Sequence, residues 1–373
     1  MPPGLVRVSA AGILASDTDG QVLTSRFGLI NWETPAPIIG MSAPWGDGSD
    51  GDYVIAGAEI LFTEQYYDTV SFGPAGVVDT ASVVLRCLTL DLRGAQAGAI
   101  VVSSDPMDGG DGFVAPGTAG PGPTLSSATL GGGWPGAIGG EPVSDGPDAG
   151  AGFNAASGGS CGNGGTGGIG GDSATQFGGN SVAPDLRRIL RYQEDPLGYA
   201  VGGGLYLIGG GSGGAGGAGS ATRAGGGGGG GDGVIWIVAR EIIVDATTAA
   251  GAISSRGGNG GNGGATAAAL AAGAGGAGGG AAGWIYLVYQ TITGTRAGVI
   301  ETTGGNGGNG GDGGAGGVGG DGGAGGGAGS VTLVNMTTAV VTDGRGAAGA
   351  PGGAAVGNVG GAGGAGAVYQ VGL

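Results

Sequence analysis

The feature that most constrains this chain is the run from Gly304 to Gly326, in which two glycines precede every third residue without a break of phase. A period of about three residues matches the left-handed polyproline II-type helix, which makes no internal hydrogen bonds. Glycine loses more backbone entropy on ordering than any other residue, so one such helix alone would be an unfolded linker. Several can pack closely, because glycine lacks a Cβ, and can pair N–H with C=O groups between segments. The run therefore predicts a bundle of polyglycine-II helices.

The third residue of each triplet is small or polar, and we expect it to face solvent. The residues that represent the predicted polyglycine-II tract are Gly304, Gly305, Asn306, Gly307, Gly308, Asn309, Asp312 and Asp321. The opposing interpretation is a flexible glycine linker. Scarce serine, strict triplet phase and recurring apolar strands favour the packed bundle over that linker.

The tract belongs to a longer repeat with a period of about 50 residues, a length typical of repeat architectures. Apolar strands begin at Gly233, Gly283 and Ser330. A second strand is predicted directly after the first two, at Glu241–Val244 and Gln290–Thr293, followed by a small-residue turn and a glycine tract. In repeats of this kind each unit buries its apolar face only against its neighbours.

Composition divides the chain into four segments. Residues 1–45 alternate apolar and polar side chains and are predicted to form a β segment; because it lacks glycine repeats, this segment is a candidate for an attachment end. Residues 46–104 hold three β-rich runs and are predicted to form a β-rich module. Residues 105–199 are Gly/Pro-rich and are predicted to be irregular apart from one short helix at 184–195. The last segment, 200–373, combines strands with Gly-Gly-X repeats.

These patterns predict an all-β fold class. A short-strand, β-rich N-terminal module is followed by repeat strands that alternate with bundled glycine-rich helices. The three runs of the module are expected at Tyr53–Phe62, Tyr66–Phe72 and Val77–Leu92, as short strands of stacked coils or of a small sandwich.

The residue content argues against enzymatic chemistry. The chain has no His and no Lys, so Ser-His-Asp, Cys-His and Schiff-base arrangements are absent. Paired carboxylates are the remaining route, through glycoside hydrolysis. The candidates, which form no recognisable constellation, are Glu59, Glu64, Asp79, Asp91 and Glu301. We predict that the chain is not an enzyme.

No cofactor and no metal site are expected. Two cysteines far apart, Cys87 and Cys161, make a poor zinc site and are interpreted as free thiols. Aspartates clustered with glycine, as at Asp47, Asp50 and Asp52, are interpreted as turn formers because they lack the spacing of a calcium loop. The net charge of −16 repels phosphates, which argues against a nucleic-acid partner.

Two regions resemble glycine-rich phage tail-fibre proteins and the polyglycine-II adhesins of some phage fibre tips. One is Gly46–Ile100, and the other is 200–373 with its strand-then-Gly-Gly-Asn unit. The resemblance implies a non-enzymatic virion structural protein, a tail fibre or adhesin that extends from the particle and contacts the host surface. Residues 1–45 would then be the β segment that attaches to the virion. The alternatives are a head fibre or tail decoration protein without receptor binding, a polysaccharide depolymerase, and a mycobacterial PGRS-like surface protein.

Aromatic and arginine side chains in the irregular region are the candidates for receptor or subunit contact, because these residue types are favoured at interfaces. They are Trp134, Arg187, Arg188, Arg191, Tyr192 and Tyr199. The alternative is a helix that packs its apolar side and keeps its arginines in water.

The expected partners are other tail or capsid proteins and a host surface glycan or protein. A homo-oligomer such as a trimer is left open, and no membrane insertion is expected, since no apolar run reaches about 18 residues. The expected location is the virion, assembled in the host cytoplasm. The N-terminal residues do not match a standard signal peptide, which fits release by lysis.

Overall fold

The computed structural model of the chain separates into two compact units, Met1–Pro44 and Trp45–Leu373. The first unit contains an antiparallel hairpin of β1 (Val22–Arg26) and β2 (Leu29–Glu33). The described residues are 22–26, 29–33, 45–81, 83–102, 108–112, 115, 117–118, 216, 219, 223–267, 272–314, 319–327, 329–338, 340–345, 350, 355–356, 359–360 and 369–371. Among them, no helix is long and apolar enough to span a membrane. The predicted helix at 184–195 lies outside these ranges.

The described residues of the second unit form fifteen short strands. They are β3 (Tyr53–Ile55), β4 (Ala58–Ile60), β5 (Gln65–Phe72), β6 (Val77–Asp79), β7 (Val84–Asp91), β8 (Ile100–Val101), β9 (Val234–Ile243), β10 (Ile253–Arg256), β11 (Trp284–Thr293), β12 (Ile300–Thr303), β13 (Ser330–Asn335), β14 (Val340–Arg345), β15 (Ala355–Val356), β16 (Val359–Gly360) and β17 (Tyr369–Val371). A seven-stranded sheet has the order β14-β13-β11-β9-β7-β5-β3, and a six-stranded sheet has the order β17-β12-β10-β8-β6-β4. The two remaining strands, β15 and β16, pair with each other.

The chain winds as stacked coils, each of which gives one strand to each sheet. From β3 to β12, successive strands alternate between the two sheets, and all pairs within this part are parallel. Strand β9 pairs with β11 so that Val234 lies opposite Trp284 and Ile235 opposite Ile285. The sequence repeat thus sets the register, since equivalent residues of successive coils become lateral neighbours.

Side chains alternate between the two faces of the seven-stranded sheet along β9 and β11, and both faces are buried. One face contributes Ile235, Ile237, Ile285 and Leu287 to the core shared with the six-stranded sheet. The other face carries a second apolar cluster around Trp236, Trp284 and Tyr286. Branched and aromatic residues suit such pleated, packed surfaces, and each large side chain stabilises the fold by roughly 1.5–3 kcal/mol when fully buried.

A column of apolar residues joins the coils through the six-stranded sheet. Ile100 lies opposite Val78 and Ile253, and Ile253 lies opposite Ile300. All four side chains are fully buried. In three of these coils a left-handed glycine, Gly98, Gly251 or Gly298, comes two residues earlier, with φ of 69°, 66° and 73°. Their backbones are joined, since Gly98 N–H donates to Gly251 and Gly251 N–H donates to Gly298, each at 2.7 Å.

The predicted fold class is wrong in its division into a β module and a region of strands alternating with helices. Strand β7 of the module pairs directly with β9 of the repeat, so both regions share the same two sheets. No helix occurs among the described residues, and the described part of the Gly304–Gly326 tract is assigned neither helix nor strand. A three-residue sequence period cannot distinguish a separate helix from a segment that prolongs a coil. The pairing of β7 with β9 spans a long insertion, and such a pairing leaves no local signal in the sequence.

Strand boundaries also differ from those predicted. The segments Glu241–Val244 and Gln290–Thr293 were expected to be second strands. Instead, β9 and β11 each continue unbroken for 10 residues, and the second strands are β10 and β12. The apolar–polar alternation persists through Glu241 and Gln290, so the polar residues mark a change of exposure within one strand and not a turn.

Candidate functional site: the stacked glycine tracts

The glycine-rich segments extend each coil beyond the sheets. We call 257–267 and 304–314 the outgoing tracts, because they follow β10 and β12. We call 223–233, 272–283 and 319–329 the returning tracts, because they lead into β9, β11 and β13. Each outgoing tract therefore leaves the six-stranded sheet, and the returning tract that follows it in the chain leads into the seven-stranded sheet.

The outgoing tracts are joined by backbone hydrogen bonds at every third residue. Within the first outgoing tract, one set of glycines donates to the end of β12 and to the second outgoing tract, and the next set donates to the returning tract before β9. The first set is Gly257 to Thr303, Gly260 to Asn306 and Gly263 to Asn309, at 2.8–3.0 Å. The second set is Gly258 to Gly230, Gly261 to Gly227 and Gly264 to Ala224, at 2.8–3.1 Å. The glycine backbone itself therefore bonds the coils together.

The spacing between tracts excludes side chains. A Cβ on Gly305 would overlap the carbonyl oxygen of Gly258, and a Cβ on Gly308 would overlap that of Gly261. Glycine is needed at these positions for close approach, since interiors are packed too tightly for a neighbouring backbone to yield.

In four triplets the N–H of the third residue, an asparagine, is satisfied by a side chain, and these bonds form what we call the asparagine ladder. Asn259 N–H donates to Asp108 Oδ1 at 2.6 Å, and Asn306 N–H donates to Asn259 Oδ1 at 2.8 Å. A second column repeats the pattern, because Asn262 N–H donates to Asp111 and Asn309 N–H donates to Asn262. Every N–H of the Gly257–Asn262 segment is thus paired, as buried backbone groups require.

The ladder gives the Asn and Asp residues a structural role that the sequence did not predict. They were expected at the third position only as polar groups facing solvent, and Asn306 and Asp321 are indeed exposed. The side-chain oxygens of Asp108, Asp111, Asn259 and Asn262 also act as acceptors for the next tract. The signal was present, since Asp108 and Asp111 have the same three-residue spacing as Asn259 and Asn262. In the returning tract before β11 the residues between glycines are instead buried, as Ala274 and Ala277 show.

Replacing Asn259 by alanine tests the ladder. The Asn306 N–H loses its acceptor, and we expect the free energy of unfolding to fall by about 1 kcal/mol, the net value of one hydrogen bond. The variant Asn259→Asp keeps an oxygen at the same place and should retain most of the stability. Amide exchange at Asn306, followed by NMR, should accelerate in the alanine variant alone. Equal exchange rates at Asn306 in both variants would rule out the ladder.

A buried carboxylate fixes the junction between the first returning tract and β9. Asp232 Oδ2 accepts from Ser255 Oγ at 2.6 Å and from Arg256 N–H at 2.8 Å, and its Oδ1 accepts from Gly233 N–H at 2.9 Å. Ser255 Oγ in turn accepts from Gly283 N–H at 2.8 Å. Burial raises the pKa of Asp232 to about 7 despite these hydrogen bonds, and the charge of Asp79 adds to the increase.

The Asp232 carboxyl should make stability depend on pH near neutrality. Its pKa in the folded chain lies above the ordinary value of 3.8, so its contribution is complete below that value and is lost as pH rises toward about 7. We expect the urea midpoint of the native chain to fall between about pH 5 and pH 7, and Asp232→Asn to remove this slope. Parallel pH profiles of the two proteins would show that Asp232 does not titrate in this range.

The five carboxylates considered for hydrolysis are each engaged by a different donor. Glu59 accepts from Tyr53 Oη at 2.6 Å, and Asp79 accepts from Ala81 N–H at 2.8 Å. Ion pairs hold the other three: Glu64 with Arg86, Asp91 with Arg93, and Glu301 with Arg256. These contacts give each carboxylate a local structural role.

The remaining predicted site residues are placed as follows. Asp47 accepts from Ser49 N–H and Asp50 from Tyr66 N–H, so both carboxylates shape the loop before β3. Cys87 is a buried free thiol. Within the described ranges, no group of three or more acidic or cysteine side chains is arranged to hold a metal ion. Cys161 and all six candidates for receptor or subunit contact lie outside the described residues: Trp134, Arg187, Arg188, Arg191, Tyr192 and Tyr199.

Comparison of the chain with protein-family models, with curated proteins and with solved structures gave no match.

Proposed function

We propose that this chain is a non-enzymatic structural protein of a phage virion, a tail fibre or adhesin that extends from the particle and contacts the host surface. The observation that supports this role is the backbone bonding between successive glycine tracts, continued by the asparagine ladder from Asp108 through Asn259 to Asn306. Together with the two parallel sheets, it ties each coil to the next along the direction of stacking.

The architecture suits a stiff projecting element. Stacked coils grow along one axis, so length is gained by adding repeats, and each repeat depends only on its neighbours. Hydrogen bonds between backbones resist shear between coils, because sliding by one residue would break the three-residue pairing of all tracts at once. The net charge of −16 keeps such a glycine-rich surface in solution.

Immunogold electron microscopy of phage particles purified from cells in which this chain is expressed tests the proposal. Antibodies against the chain should label filaments that project from the tail. Particles that bind no antibody, although the chain is expressed, would contradict a virion role. Binding of the purified full chain to host cells then separates an adhesin from a head fibre or tail decoration protein, which would not bind.

A further inference from the structure

The two sheets end differently at their two edges. At one edge, antiparallel strands finish both sheets, since β14 pairs with β13 and β17 pairs with β12. At the other edge, β3 and β4 have three residues each and pair in parallel with β5 and β6. Within the described part of the chain, no further strand covers them. We call this the β3–β4 edge.

Apolar side chains are exposed at the β3–β4 edge. The exposed fraction is 63% for Val54, 39% for Ile60 and 66% for Phe62, and Tyr66 on the next strand is also exposed. Met336 is the one other large hydrophobic residue exposed among the described residues. The terminal coil of a stacked-repeat protein ordinarily has a polar outer face, so an apolar one marks a surface that is covered in the working assembly.

The chain segment that forms this edge carries acidic side chains and no basic ones. No arginine or lysine occurs between Trp45 and Leu85, whereas seven acidic residues do. They are Asp47, Asp50, Asp52, Glu59, Glu64, Asp68 and Asp79. Glu64 is paired with Arg86 and Asp79 is buried, which leaves the other five for a partner to contact. A partner for this surface must therefore bring positive charge.

The backbone of β3 offers a hydrogen-bonding row to such a partner. Gly51 C=O accepts from Asp68 N–H and Ile55 C=O accepts from Gly73 N–H, each at 2.8 Å, so alternate residues of this segment face β5. Val54 lies between these positions, and its N–H and C=O therefore point away from β5, toward the open edge.

We propose that the β3–β4 edge docks an extended segment of a partner protein in which apolar residues alternate with arginine or lysine. The segment adds a strand beside β3, with its backbone bonded to Val54, its apolar side chains against the exposed apolar residues of this edge, and its cations beside the acidic residues. A second copy of this chain fits poorly, because a two-fold contact would set the same acidic edge against itself. The inference goes beyond the proposed function and does not require the chain to be a fibre.

Fluorescence anisotropy with the full chain tests the proposal. The probe is a labelled peptide of alternating valine and arginine, and its matched control replaces every arginine by glutamate. Two variants alter the edge. Val54→Pro deletes the outward N–H, a change that edge strands tolerate. Phe62→Arg removes apolar surface and adds positive charge. Met336→Arg is the control for a charge added at an exposed apolar residue elsewhere.

We expect the arginine peptide to bind, the glutamate peptide not to bind, and Val54→Pro and Phe62→Arg each to weaken binding by about tenfold, with Met336→Arg unchanged. Circular dichroism spectra identical to those of the native chain would show that the variants fold. Absence of binding, or binding that Val54→Pro and Phe62→Arg leave unaltered, would overturn the proposal. Concentration-dependent self-association that Val54→Pro abolishes would also overturn it, in favour of a second copy.

Discussion

Replacing Gly308 by alanine is expected to lower the free energy of unfolding by about 3 kcal/mol, in the range of overpacking and strain within a well-packed interior. The added Cβ overlaps the carbonyl oxygen of Gly261. Gly308 N–H also donates to Ala277 C=O at 2.7 Å, so a shift that relieves the overlap would weaken this bond between tracts. Urea unfolding followed by far-ultraviolet circular dichroism measures the loss.

Gly57 provides the matched control for this substitution. A Cβ there meets no atom within 4 Å, so Gly57→Ala should change the free energy of unfolding by less than about 0.5 kcal/mol. A similar fall in the free energy of unfolding for Gly57→Ala and Gly308→Ala would mean that the cost does not come from the close approach of the tracts.

Replacing Trp284 by alanine is expected to cost about 4 kcal/mol, the usual range for deleting a buried tryptophan side chain. Trp284 is fully buried in the second apolar cluster, edge-on to Tyr286 with 5.6 Å between ring centroids. Its Nε1–H donates to Thr332 Oγ1 at 3.2 Å, which links β11 to β13 of the next coil. The thermal midpoint measured by circular dichroism should fall sharply.

Met336→Ala is the control for the tryptophan substitution, because Met336 is an exposed apolar residue close to the same sheet. It should leave the thermal midpoint nearly unchanged. If Trp284→Ala is as mild as Met336→Ala, the second cluster does not hold the coils together.

The repeat itself could be predicted from the sequence, but its extent could not. The strands beginning near Gly233, Gly283 and Ser330 follow from their apolar character and spacing, and the structure has β9, β11 and β13 at these places. The sequence interpretation left stacked coils open for the N-terminal module but did not join them to the repeat. An Ala-Gly pair before a short strand recurs at Gly98, Gly251 and Gly298, and this signal was hidden by the long insertion between β8 and β9.

The glycine tracts can be recognised in the sequence from their triplet phase. Which tracts hydrogen-bond to one another cannot be predicted in this way. Which tract donates to which depends on the stacking of whole coils, and this is a non-local property. Asn259 illustrates the difference: polarity predicts exposure, but only the neighbouring tract reveals that its side-chain oxygen accepts from Asn306 N–H. Asp232 likewise gives no sequence signal, since its partners Ser255 and Arg256 lie on another strand.

Hydrogen exchange of the purified full chain, followed by mass spectrometry over 257–264 and 304–311, tests the central claim most directly. If the glycine tracts are bonded to one another as described, their amides should be protected to the same extent as those of β9 and β11. Exchange of the tract amides at the rate of a free peptide, with β9 and β11 protected, would contradict the account and leave the tracts as flexible loops on a stacked β core.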